Sequence, residues 1–143
     1  MIYIGADHRG LKQKELVKTW LEGRAQEFHD FGAYEYNPED DYNEAAVAVA
    51  KKVVGEEGAR GILVCGSGHG ECMAANRFRG VRAINGLTPE MVKVGREHND
   101  ANVLCLAADF VPDPEGVLKA FFGTEFLGEE RYERRNRKLD EEV

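Results

Sequence analysis

Five short apolar runs, each followed by a segment of helical periodicity, constrain the fold of this chain more than any other feature. Residues 2–4, Ile-Tyr-Ile, open the series. Beyond a polar turn, Leu11, Leu16, Val17, Trp20 and Leu21 recur at near-helical spacing with lysines between them. Residues 27–31 alternate apolar and polar and stop at Gly32, the pattern of a second strand. Residues 33–42 are polar and tyrosine-rich, a loop, and Asn43 is expected to cap a helix over residues 44–54. Residues 61–65, Gly-Ile-Leu-Val-Cys, are wholly apolar, as a central parallel strand buried on both faces requires. A glycine turn follows, then a helical stretch around residues 72–76. Residues 81–84 predict a fourth strand. Thr88 predicts a helix cap, with Pro89 in the first helical position and the helix running to about His98. Residues 103–106 predict a fifth strand, a helix follows Pro114, and a charge-dense helix is expected from Gly128 to the end.

This alternation predicts a three-layer α/β/α domain, Rossmann-like, with a five-stranded parallel sheet and an added charged C-terminal helix. The 143 residues fit one domain, residues 1–143, with no linker or internal repeat. Ligands of such sheets bind at the carboxyl ends of the strands, near the point where strand order reverses. The turns after strands one, three and five are therefore the places to look.

Composition removes several classes of function. The formal net charge of −7 argues against non-specific nucleic-acid binding, which needs a basic surface. No apolar run approaches the roughly 20 residues that span a bilayer. The N-terminus, Met-Ile-Tyr-Ile-Gly-Ala-Asp, has no basic segment before an apolar one, so no signal peptide and a cytoplasmic location are expected. Cys65, Cys72 and Cys105 form no C-x-x-C pair, which argues against a zinc ribbon or thioredoxin-type motif and for reduced thiols.

The turn after strand three, Cys65-Gly66-Ser67-Gly68-His69-Gly70-Glu71, is the most informative stretch. Three glycines in five residues let backbone N–H groups point into one space, and the helix behind them adds positive potential. Such a turn holds a phosphate or an oxyanion. The spacing is not G-x-G-x-x-G, and no G-K-[ST] follows, so a dinucleotide or P-loop reading is weak. A tight connection could use glycines for their backbone angles alone. The presence of Cys65, Ser67 and Glu71 in the same turn favours chemistry.

The segment C-G-S-G-H-G-E-C-M-A-A-N-R-F-R-G-V-R-A resembles the ribose-5-phosphate isomerase B / galactose-6-phosphate isomerase family. So do Gly5-Ala6-Asp7-His8-Arg9-Gly10, residues 97–104 (Glu-His-Asn-Asp-Ala-Asn-Val-Leu) and the tail carrying Arg131 and Arg135. The four motifs are co-linear and span nearly the whole chain. The resemblance implies an aldose–ketose isomerase working through an enediolate, without metal or organic cofactor, on a sugar phosphate such as ribose 5-phosphate.

Roles follow from the resemblance and from the chemistry. Amides of Gly66 through Gly70, Gly68 among them, would meet the oxyanion, with the Ser67 hydroxyl helping. Two residues stand where a base could be. One part of the family uses a cysteine at the position of Cys65, another a glutamate at the position of Glu71, and this chain has both. A glutamate ionises first, near pH ~4.3 against ~8.5 for a thiol, and its charge then disfavours a thiolate. That leans towards Glu71, although the turn's dipoles could also hold a Cys65 thiolate. His98 resembles the ring-opening acid, Asp7 its partner at the ring oxygen, Asn99 a residue binding a hydroxyl or the enediolate, and Tyr42 a wall of the pocket. His8, Arg131 and Arg135 would clamp the phosphate; the two arginines lie four apart and share a helix face. The family shares some contacts between subunits, which implies a homodimer. Eleven of residues 128–143 are charged, a run that otherwise reads as a solvated helix.

Three departures stand out. Residues 107–109 are Ala-Ala-Asp where the family usually has glycine-x-arginine, so an acid replaces a phosphate-binding arginine. Arg9 is the residue expected to compensate. His69 within the turn is unusual, and the tail carries one extra residue before Arg131. Competing readings are an isomerase of a hexose or tetrose phosphate, a non-catalytic sugar-phosphate-binding domain, and a redox protein using Cys65 and Cys72. The missing C-x-x-C spacing counts against the last, and the presence of both a base and an acid against a simple binder.

Overall fold

All five apolar runs join one sheet. A computed structural model describes residues 1–141; residues 142–143, the end of the expected terminal helix, lie outside the described residues. The strands are β1 (Ile2–Ala6), β2 (Phe28–Asp30), β3 (Arg60–Cys65), β4 (Ala83–Asn85) and β5 (Val103–Ala107). The helices are α1 (Leu11–Glu22), α2 (Tyr42–Gly55), α3 (His69–Ala75), α4 (Pro89–Asn99), α5 (Pro114–Gly123) and α6 (Glu130–Glu141). The strands run parallel in the order β2-β1-β3-β5-β4. This is the expected three-layer α/β/α arrangement. None of the described helices is long and apolar enough to cross a membrane.

Alternation along the strands sorts the core into two. Ile2, Ile4, Ile62, Val64, Leu104 and Leu106 pack with Val17, Leu21, Val92, Val117 and Phe121 from α1, α4 and α5. Tyr3, Leu63, Val103 and Cys105 face Ala46, Val49, Ala50, Val53 and Ala75 from α2 and α3. Each fully buried Ile, Leu, Val or Phe contributes roughly 1.5–3 kcal/mol relative to exposure.

The order also locates the reversal point. The chain leaves β1 through α1 to reach β2, then returns through α2 on the other face to β3 on β1's far side. The connections diverge between the carboxyl ends of β1 and β3, where a crevice opens. The glycine turn follows β3 at that point.

Several boundaries differ from expectation. Asn43 is not the cap of α2: Asp41 is, in an extended conformation with its carbonyl accepting from the Glu44 amide, and Asn43 lies in the first turn. Tyr42 thereby becomes the first helical residue. β4 covers residues 83–85 rather than 81–84, because the Arg82 amide donates to the Asn102 side chain instead of a strand partner. β2 is three residues long. α6 begins at Glu130, after Gly128 takes a left-handed φ of 64°. Thr88 caps α4 as expected, its Oγ1 accepting from the Met91 amide at 3.3 Å with Pro89 next in line.

Candidate active site

Two turns meet at the carboxyl ends of β1 and β3. In the first, Asp7 Oδ1 accepts from the Gly10 amide at 2.9 Å, and the Asp7 amide donates to the Val64 carbonyl at 3.3 Å. Gly10 is pressed against β3 so closely that a Cβ there would lie 1.7 Å from the Val64 carbonyl oxygen. In the second, Gly68 adopts φ +76°, a left-handed conformation that suits glycine, and opens α3. Its amide donates to Cys65 Sγ at 3.1 Å, and the His69 amide donates to Ser67 Oγ at 3.4 Å. Those two N–H groups hold the turn's own shape. The amides of Gly66, Ser67 and Gly70 have no acceptor among the described residues and are the ones open to a ligand.

Around the turn lies a cleft of about 320 Å³ lined by Asp7, Arg9, Tyr42, Cys65, Gly66, Ser67, Gly70, Asp109 and Phe110. The Tyr42 ring lies over Gly70, where a Cβ would come within 2.7 Å of it. Arg9 and Asp109 form an ion pair across Gly66. His8 stands to the side: its Nδ1 is 2.5 Å from Asp40 Oδ1, and its ring meets Tyr36 edge-on. Asn85, at the end of β4, donates from Nδ2 to the Ser67 carbonyl at 3.1 Å and lies 3.0 Å from His69 Nδ1.

Glu71 sits beneath this cleft with no solvent exposure, and neither carboxylate oxygen has a hydrogen-bond partner among the described residues. Burial, reinforced by the negative charges of Asp7 and Asp40, raises its pKa well above the usual carboxylate range, although the nearby Cys65 thiol and Asp7 amide oppose the rise. Burial and Glu71 in turn push the Cys65 thiol up to about 11, so it stays protonated at neutral pH. Asp7 is raised too, mainly by burial, against the pull of the Gly10 amide and His8. A buried, unpartnered carboxyl beside oriented backbone donors is equipped to take up a proton while an oxyanion forms above it.

The remaining expected residues lie at the other end of the sheet. α4 starts at the carboxyl edge and ends with His98 and Asn99, just before β5 begins. At about 3.3 Å rise per residue, a five-residue strand puts roughly 16 Å between its two edges. There the His98 ring stacks on Tyr132, centroids 4.4 Å apart, and its carbonyl accepts from Asn136 Nδ2 at 3.3 Å. Arg131 donates to the Tyr132 hydroxyl at 2.9 Å and pairs with Glu129. Arg135, one turn on, is exposed and makes no ion pair among the described residues. The structure thus gathers Asp7, Tyr42, Cys65, Gly66, Ser67, Gly68, Gly70 and Glu71 at the carboxyl edge of the sheet. His98, Asn99, Arg131 and Arg135 gather at the other.

Four contributors escaped sequence reasoning: Asp40, Tyr36, Asn85 and Phe110. Asp40 sits in an Glu-Asp-Asp run that reads as a solvated loop, and Tyr36 belongs to the same segment. Asn85 carried a usable signal, a polar residue closing an apolar strand at the ligand-binding edge.

The whole chain has close relatives. The model of the ribose/galactose isomerase family matches residues 2–139. A probable ribose-5-phosphate isomerase B of Mycoplasma pneumoniae is 39% identical over 129 residues, covering 89% of this chain and 85% of that protein. The ribose-5-phosphate isomerase B of Mycobacterium tuberculosis is 32% identical over 94% of this chain and 84% of its own. The crystal structure of a ribose 5-phosphate isomerase from Thermotoga maritima superposes with a TM-score of 0.93 at 39% identity, covering 98% and 97% of the two chains. That of Mycoplasma genitalium ribose-5-phosphate isomerase B, which holds bound ribulose-5-phosphate, gives 0.93 at 35% identity over 99% and 94%. A cleft at the sheet's reversal point, a glycine turn with free amides and a buried carboxyl beneath it therefore occur in a chain that belongs to the ribose/galactose isomerase family.

Proposed function

We propose that this chain is an aldose–ketose isomerase that interconverts ribose 5-phosphate and ribulose 5-phosphate through an enediolate. One observation carries the chemistry: the Glu71 carboxyl is wholly buried, unpartnered and adjacent to a turn with free backbone N–H groups. The relatives' names and the bound ribulose-5-phosphate of the M. genitalium enzyme support the substrate.

In its carboxylate form, which the raised pKa makes a minor but more basic species, Glu71 takes the proton from C2 of the open-chain aldose and returns it to C1. Its raised pKa makes the conjugate carboxylate a stronger base than an exposed glutamate. The amides of Gly66, Ser67 and Gly70, with the Ser67 hydroxyl, stabilise the enediolate oxygens; one such donor is worth roughly 3–4 kcal/mol in other enzymes. Cys65 is a neutral wall that keeps its thiol proton. Asp7 handles the ring oxygen with His98, and Tyr42 closes one side of the cleft.

His98, Asn99, Arg131 and Arg135 complete the site from a second copy of the chain. A two-fold homodimer supplies them twice by symmetry, once to each cleft. Exposed Tyr36, Tyr42, Met73 and Phe110 beside the cleft provide apolar surface for such a partner. The family model's span supports a single domain over the chain, and three free thiols suit a reducing, cytoplasmic setting.

Turnover of pentose, tetrose and hexose phosphates by the wild type tests the proposal. Ribose 5-phosphate is expected to have the highest kcat/KM. Preference for a hexose or tetrose phosphate overturns the substrate, and no turnover of any overturns the enzyme.

A further inference from the structure

The cleft is acidic where an anionic substrate must enter. Of its lining residues, Asp7 and Asp109 are carboxylates, and Glu71 and Asp40 stand just behind them. Arg9 is the one cation among the lining residues. Its side chain lies against the first glycine of the turn: a Cβ on Gly66 would be 2.6 Å from Arg9 Nε and 3.1 Å from Asp109 Oδ2. Arg9 comes from the turn after β1 and Asp109 from the segment after β5, so their pair bridges two strand ends over a third. Both side chains are substantially exposed, at 59% and 41%. An exposed pair of this kind is weak and exchanges readily for a stronger partner. A phosphate dianion is such a partner, since guanidinium–phosphate contacts are charge-assisted and often bidentate.

We infer that Arg9 is a substrate-binding residue that engages the sugar's phosphate from the glycine-turn side, and that Asp109 is its counter-ion, displaced when the phosphate binds. The inference rests on the isomerase reading. In it, Asp109 does not act by repelling the substrate. It holds the guanidinium over Gly66, ready for exchange, and sets how strongly an anion must compete for it. Unphosphorylated sugars cannot make the exchange, so the pair also selects for the phosphate.

Two measurements on the full-length protein test this. Calorimetric titration with inorganic phosphate reads binding without any turnover, so it separates failure of this inference from failure of the isomerase reading. Arg9→Ala is expected to weaken phosphate by about tenfold or more, with Arg9→Lys in between, and Asp109→Asn to tighten it by about threefold. With ribose 5-phosphate, Arg9→Ala is expected to raise KM by a similar factor while kcat stays within about threefold. Unchanged phosphate affinity in Arg9→Ala overturns the inference. So does weaker binding in Asp109→Asn, or a loss confined to kcat, which would assign the guanidinium to the enediolate instead.

Discussion

At the scale of single residues, function and stability pull against each other at Glu71. Its folded pKa is raised above the unfolded value, so the folded state holds the proton more tightly over the interval between them. Stability therefore falls as pH rises from the unfolded value, near ~4.3, towards the raised one. Glu71→Gln removes the ionisation, so its melting temperature is expected to exceed the wild type's at neutral pH and to converge with it below about pH 4. The same substitution is expected to lower kcat by about 10²–10⁴-fold. Cys65→Ala is expected to keep kcat within about tenfold, because a thiol protonated at neutral pH contributes packing rather than base strength. An inactive Cys65→Ala beside an active Glu71→Gln reverses the assignment. Cys65, Ser67 and Glu71 were legible from residue types, since each flanks a glycine in the turn after β3, whereas Asp7 was legible only through the family resemblance. Arg9 and Asp109 stand 100 positions apart, and the sequence linked them only as an acid in place of an arginine and a candidate to compensate for it, not as an ion pair. Only the closeness of two strand ends brings them together.

At the scale of elements, the turns are fixed by what a side chain would collide with. Gly10→Ala places a methyl group inside backbone contact with Val64, and a loss of about 3 kcal/mol in urea unfolding is expected. Gly68→Ala must hold φ +76° and press on Asn85, so roughly 1–2 kcal/mol is expected to be lost, with a larger proportional loss of kcat. α1 is tied down differently. Lys14 is fully buried, and its Nζ donates to both Asp30 oxygens and to the Ala33 carbonyl. Burial alone would raise the Asp30 pKa, but Lys14, the Gly32 amide and Lys18 together lower it. That stabilisation is present above the unfolded value of ~3.9 and disappears as pH falls through the lower folded one. Lys14→Met is expected to cost about 3 kcal/mol near pH 7, since it removes the buried partner of Asp30 and leaves the carboxylate only Lys18 and the Gly32 amide, and less in acid. The strands and helices were legible because period-two and period-3.6 patterns dictate which faces can be buried. Their ends were not, because Asp41, Asn102 and Gly128 set them through backbone angles and single hydrogen bonds.

At the scale of the whole molecule, the proposed site residues fall in two groups at opposite edges of one sheet. Glu71 and its turn lie at the carboxyl edge of the sheet, and His98 and the tail arginines lie at the opposite edge. The separation of His98 and Asn99 from the glycine turn follows from the alternation itself, because a helix that precedes a parallel strand ends at the amino edge where that strand begins; the position of the tail arginines does not, because nothing local says where α6 packs. Arg135→Ala is expected to raise KM for ribose 5-phosphate without lowering the melting temperature, as its side chain is exposed. The shared site has a direct test: mixing two inactive variants, Glu71→Gln and His98→Asn, under conditions where subunits exchange. Random pairing makes about half the dimers mixed, each with one intact site of two, so about a quarter of the wild-type activity is expected to return. If both variants are dead alone and the mixture stays dead while exchange is demonstrated, the site is not assembled from two copies.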